Sequence, residues 1–174
     1  MEIQEFSAGI RYATVTIQDR KAFLAALHAI SDRHGTHIVC FDADNLAGCQ
    51  HAEKAIRFAR RAIAEGTAIS HSFEMEALLY AGGTRQCSAA TRFGLHDGEN
   101  RLYVCCCPDV PAAWQDLLAC MEFVPEPAGG LTAEKAARLC ALFGITPDEI
   151  AAVGGDGNLP ELVLERVALL EVSK

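Results

Sequence analysis

The segment Phe73-Glu74-Met75-Glu76-Ala77-Leu78-Leu79-Tyr80-Ala81 carries apolar side chains around most of a helical circumference, with Glu74 and Glu76 its only charges. A helix without a continuous polar face has to be covered on several sides. This segment therefore belongs inside the fold, and the rest of the chain has to supply its cover. Ser70 is a suitable residue to cap its start, and Gly82-Gly83 ends it. Thr84 caps a short helix through Phe93, which Gly94 ends in turn. The cover is available: 51% of the 174 residues are hydrophobic and 22% charged, a balance that favours one packed globular domain over 1–174 and excludes extended disorder. A domain of this size buries about two-thirds of its unfolded surface.

Around that helix the pattern alternates. Ile10 to Ile17 holds Tyr12, Thr14, Val15 and Thr16, all strand formers, and Asp19 then offers a helix N-cap. The helix Arg20 to Arg33 stripes Phe23, Leu24, Leu27 and Ile30 and stops at Gly35; a strand His37 to Phe41 follows. After the turn Asp42-Ala43-Asp44-Asn45 a helix runs from about Ala47 to Glu65, with Ala55, Ile56, Ala59 and Ile63 on one face and Gly66 closing it. A third strand, Arg101 to Cys107, stops at Pro108. Pro111 opens a helix containing Trp114, Leu117, Leu118 and Met121, and Val124 to Gly130 reads as a surface loop. Two short helices follow, the second opened by the capping box Thr146-Pro147-Asp148-Glu149, and Leu162 to Leu170 closes the chain as an amphipathic helix or helix-to-strand segment. Strands separated by helices without long regular alternation predict an α+β fold, with a small mixed or antiparallel sheet packed against several helices.

The formal net charge of −8, from 23 acidic and 15 basic residues, makes the chain as a whole repel duplex nucleic acid. Any RNA binding must be local. The basic residues Lys54, Arg57, Arg60, Arg61, Arg85 and Arg92 fall in one short stretch, and Lys54, Arg57 and Arg61 recur at spacings of three and four, on one side of their helix. The eight cysteines contain no C-x-x-C, and Cys105, Cys106 and Cys107 are consecutive in a strand whose side chains alternate between faces. They read as small hydrophobes and not as metal ligands. The six histidines are scattered, without H-x-x-x-H or H-E-x-x-H. No nucleophile elbow surrounds Ser70 or Ser72. No cofactor is implied. Met1-Glu2-Ile3-Gln4-Glu5 lacks a basic leader, and no stretch reaches the roughly 18 apolar residues of a membrane span, so a cytoplasmic protein with no membrane partner is expected.

One enzymatic pattern competes. Ile38-Val39-Cys40-Phe41-Asp42-Ala43-Asp44 is an apolar strand followed by D-x-D, similar to the first motif of haloacid dehalogenase-type phosphatases. Val153-Gly154-Gly155-Asp156-Gly157-Asn158 is similar to their acidic loop, with Lys135 upstream. In that scheme Asp42 attacks phosphorus and Asp44 protonates the leaving group, with magnesium neutralising the oxygens. Against it, Asn45-Leu46 follows the pair where that superfamily favours Gly or Thr, and a capped helix stands before Asp156 where a strand is required. Asp42 and Asp44 then read as turn and cap residues.

A longer resemblance points elsewhere. Gly66-Thr67-Ala68-Ile69-Ser70-His71-Ser72-Phe73-Glu74-Met75-Glu76-Ala77-Leu78-Leu79-Tyr80-Ala81-Gly82-Gly83-Thr84-Arg85-Gln86 resembles the central signature of the TPRKB family, the small kinase-binding subunits of the KEOPS complex. Asp42-Ala43-Asp44-Asn45-Leu46-Ala47-Gly48 with His51 is similar to that family's strand-to-helix corner, and Leu164-Glu165-Arg166-Val167-Ala168-Leu169-Leu170 to its C-terminal ending. Pro108 to Ala141 carries no matching signature. The resemblance implies a non-catalytic subunit of the assembly that makes threonylcarbamoyladenosine beside the anticodon of ANN-decoding tRNAs. Such a subunit docks on the complex's atypical small kinase/ATPase, through it reaches the threonylcarbamoyl transferase, and holds the single-stranded CCA end of tRNA. The residues expected to bind RNA are His51, Lys54, Arg61, Ser70, Ser72, Arg85 and Gln86. A module that binds only the kinase is the remaining alternative.

Overall fold

The computed structural model describes residues 8–173; the segment Met1 to Glu5, expected to lack a basic leader, lies outside them. Contacts along the chain cluster into two units, each discontinuous in sequence: the chain up to Cys40 with His96–Glu126, and Phe41–Leu95 with Pro127–Lys174.

The first unit centres on a sheet. Strand β1 (Gly9–Ile17) leads to helix α1 (Arg20–His34), strand β2 (His37–Asp42), strand β3 (Gly98–Cys107), helix α5 (Pro111–Leu117) and a short strand β4 (Glu122–Phe123). The sheet order is β2-β3-β1-β4, in an open antiparallel arrangement of the expected α+β class. Tyr12 stands opposite Tyr103 and Ile17 opposite Gly98; on the other edge of β1, Ala13 faces Phe123. Asp19 caps α1 as its position predicts, accepting the Lys21 and Ala22 amides, and Gly35 ends it in the left-handed conformation. Helices α1 and α5 pack together, and Arg33 and His34 hold Asp116 at 2.8 and 2.6 Å. Their hydrogen bonds, His34's foremost, keep the Asp116 carboxyl below the usual range.

Strand β3 is buried from Leu102 to Cys107, on both faces. Cys105, Cys106 and Cys107 are accordingly all inside. Burial pushes the Cys106 thiol up to about 12 and raises Cys40 and Cys105 as well, so these groups stay protonated and pack as small apolar side chains.

The second unit is helical. It contains α2 (Cys49–Glu65), α3 (Phe73–Gly82), α4 (Cys87–Ala90), α6 (Ala133–Phe143), α7 (Pro147–Ala152) and α8 (Leu159–Ser173), with 3-10 turns at Ala43–Asn45, Thr91–Phe93 and Asp156–Asn158. The apolar helix α3 packs against α2, α4 and α8, and Phe73, Glu76, Ala77, Leu79, Tyr80 and Ala81 are buried. Its one buried charge is satisfied: the Glu76 carboxylate accepts the Ile69 amide at 3.0 Å and the Ser70 amide at 2.8 Å. That tie shifts the cap by two residues from the expected Ser70. Ser72 Oγ accepts the Met75 amide at 3.0 Å, while Ser70 Oγ accepts the Ser72 amide and shapes the approach. The capping box at α7 is complete in both directions, and the last segment is helix throughout. Among the described residues, no helix is long and apolar enough to cross a membrane.

Candidate functional site

A concave site lies within the helical unit. It is lined by the Gly82-Gly83-Thr84 turn, by Arg92 and Phe93, by Leu142 and Phe143 of α6, and by Arg166, Leu169, Leu170 and Val172 of α8, and it encloses about 610 Å³. That volume is in the range of about 300–1,000 Å³ common for small-molecule sites.

The glycine pair makes the site by close approach. A Cβ on Gly82 would lie 2.7 Å from the Phe93 ring, and one on Gly83, where φ is +59°, would lie 3.1 Å from the Arg166 carbonyl oxygen. Only residues without side chains let the end of α3 come this near to α8 and to Phe93. Phe93 in turn packs on Phe143 at 5.6 Å between ring centroids, forming an aromatic floor.

The corner after β2 grips both ends of the turn. Asn45 Nδ2 donates to the Arg92 carbonyl at 2.7 Å and to Asp42 Oδ2 at 3.3 Å. His51 Nδ1 accepts the Ala47 amide at 3.0 Å, which leaves the proton on Nε2 to be donated to the Ala81 carbonyl at 2.7 Å. The His51 ring also lies against Phe143 at 5.7 Å. One bracket thus fixes Ala81 and Arg92, the residues on either side of the glycine turn and α4.

The chemistry of the lining is divided. Arg92 is exposed, and its guanidinium has no hydrogen bond or ion pair among the described residues. Arg166 is half-buried, with Nη2 2.6 Å from Glu149 Oε1 and Nε 3.4 Å from the Phe143 carbonyl. The same cavity is lined by apolar side chains of α8, with Leu169 51% and Val172 80% exposed. Two guanidinium groups, an aromatic floor and an open apolar wall can take an anion joined to a flat ring, as in one end of a single-stranded nucleic acid.

The residues expected from sequence fall into three groups. His51 is only 1% exposed and uses both ring nitrogens internally, so it offers neither to a ligand and serves the site by holding its corner. Ser70 and Ser72 shape the start of α3. Lys54 and Arg61 do converge, over the Phe58 ring at 5.7 and 5.1 Å, and Phe58 stacks on Tyr80. Arg61 also reaches Glu171 at 3.9 Å, between the pocket-lining Leu170 and Val172; Arg57, by contrast, pairs with Glu53 at 3.8 Å. Arg85 and Gln86 follow Thr84 directly: the Gln86 amide donates to Thr84 Oγ1, and Arg85 is exposed with no partner among the described residues.

Sequence reasoning named neither Arg92 nor Arg166 as site residues. The signal for Arg166 was its place in the Leu164 to Leu170 ending, and for Arg92 the glycine pair upstream. The D-x-D pair is absorbed by the corner: Asp42 is 6% exposed and accepts the Asp44 amide at 3.0 Å, and Asp44 lies 4.0 Å from Arg138. Among the described residues, no three His, Cys, Asp or Glu side chains form a group able to hold a metal ion. No protein-family model matches the chain, and no curated protein matches it.

Proposed function

We propose that this chain is a non-catalytic, TPRKB-like subunit of the KEOPS complex. In this reading it works in the cytoplasm, binds the atypical small kinase/ATPase and through it the threonylcarbamoyl transferase, and holds the CCA end of tRNA during threonylcarbamoyladenosine synthesis. The observation that carries the proposal is the cavity built by Gly82, Gly83, Arg92, Phe93 and Arg166, because Gly82, Gly83 and Arg166 belong to two of the segments whose sequence resembles that family. A single-stranded end needs a few cations, hydrogen-bond donors and an apolar or aromatic wall, and no broad positive face. Such a cavity is compatible with a net charge of −8.

The test compares intact tRNA with tRNA trimmed of its terminal CCA, at several salt concentrations, using wild type, Arg92→Glu, Arg85→Glu and Arg61→Glu. Trimming should weaken binding to wild type. Arg92→Glu should weaken it most and flatten the logarithmic salt slope by roughly 0.7 per lost phosphate contact. Equal affinity for trimmed and intact tRNA would rule out end binding, and separate elution of the chain and the kinase at micromolar concentration would remove the complex.

A further inference from the structure

The half-buried ion pair at the wall of the cavity has a use beyond packing. Glu149 sits at the third helical position of α7, where its Oε2 accepts the Thr146 amide at 2.8 Å and its own amide donates to Thr146 Oγ1 at 3.2 Å. The second oxygen, Oε1, takes Arg166 Nη2 at 2.6 Å. The carboxylate is thereby locked in place by a helix cap and presented to Arg166, while Arg92, which also lines the cavity, makes no ion pair among the described residues. An arginine needed only for folding would be served by this arrangement. An arginine that faces an open cavity is instead held in position and half neutralised by it.

We infer that Glu149 is an internal counter-anion that limits how tightly the cavity holds a phosphate, by occupying part of the Arg166 guanidinium that an incoming phosphate would otherwise use. The inference rests on the reading of the cavity as the site for an RNA end, and it concerns the regulation of affinity there. Arg166 keeps its orientation without Glu149's charge, because Nε also donates to the Phe143 carbonyl, while the single acceptor oxygen of a glutamine at position 149 is taken by the Thr146 amide and leaves the guanidinium free. A weakly neutralised site releases its ligand readily, which suits a subunit that must hand on one tRNA after another.

Glu149→Gln separates charge from structure, since glutamine also completes a capping box. Binding of a short single-stranded RNA ending in CCA should tighten about three- to tenfold, the scale of one screened unit charge near a bound anion. The salt slope should steepen by roughly 0.7, as Arg166 becomes free to neutralise a phosphate. A merely structural role predicts weaker binding and an unchanged slope.

In the Arg166→Gln background, Glu149→Gln should have no effect, as a double-mutant cycle requires of two groups that act through one another. An equal gain in both backgrounds, or no gain in either, would overturn the inference. A control RNA of equal length without CCA, and inorganic pyrophosphate, keep the two readings apart. If wild type binds control and CCA RNA alike while the Arg166-dependent gain appears with both, the counter-anion stands and end recognition falls. If wild type prefers CCA but Glu149→Gln changes nothing, the opposite holds. Failure of every variant to bind any probe would discard both.

Discussion

His51 shows how a single residue can be mistaken for a ligand. Its place after a D-x-D-N corner marks it as functional, yet its ring is sealed between the Ala47 amide, the Ala81 carbonyl and Phe143. Burial, reinforced by the charge of Lys135 and opposed by the Ala81 hydrogen bond, brings its pKa down to about 4. The unfolded chain takes up this proton near pH 6.5 and the folded chain only near pH 4. Stability therefore falls as pH drops through that window, by up to about 3 kcal/mol from this residue. Urea midpoints between pH 7 and 4.5 check this. His51→Gln should be less stable at pH 7 but lose less on acidification, and a slope equal to that of wild type would mean that another group is responsible.

At the scale of elements, α3 carries the most consequence. Its apolar circumference demands burial, and the structure surrounds it with α2, α4 and α8. The pattern places its beginning at Ser70, two residues before the cap that forms at Ser72. The choice is made by Glu76, which draws in the Ile69 and Ser70 amides from inside the helix and leaves Ser72 at the cap. Ser72→Ala should cost about 1 kcal/mol, the usual loss of a side-chain cap, and Ser70→Ala distinctly less. Thermal midpoints of the two variants decide the matter, and the reverse order would return the cap to Ser70. At the far end of α3 the glycine pair does more than stop a helix, since it admits Phe93 and the backbone of Arg166.

Over the whole molecule, charge and site pull in opposite directions. A net charge of −8 repels an RNA duplex at long range, whereas in the proposed reading a cavity lined by two arginines would hold one or two phosphates at short range. A blunt RNA duplex should therefore compete poorly with a single-stranded CCA end of similar length, and the difference should widen as salt is lowered. Competition titrations at two ionic strengths measure this. Equal competition by the duplex would show that a broad basic face, such as the side of α2 bearing Lys54 and Arg61, governs binding instead.

Local physics made much of the fold readable. The Asp19 cap, the glycine stops at Gly35, Gly66 and Gly83 and the capping box Thr146 to Glu149 each satisfy backbone groups within a few residues of sequence, so the sequence alone determines them, and with them the α+β class. The burial of Cys105 to Cys107 on both faces of β3 goes beyond local pattern, because strand alternation alone puts one face inside. Strand β4 is two residues long and exists through its pairing with Ala13 and Thr14, which no local propensity encodes. The site is likewise a product of distance: Arg92 and Arg166 lie 74 positions apart in the chain by their numbering, and they line one cavity because Gly82 and Gly83 allow three segments to approach. Periodicity and capping report what a residue does to its neighbours in sequence. Which cations share a cavity, and which histidine is sealed behind it, is decided by packing between elements, which only the tertiary structure contains.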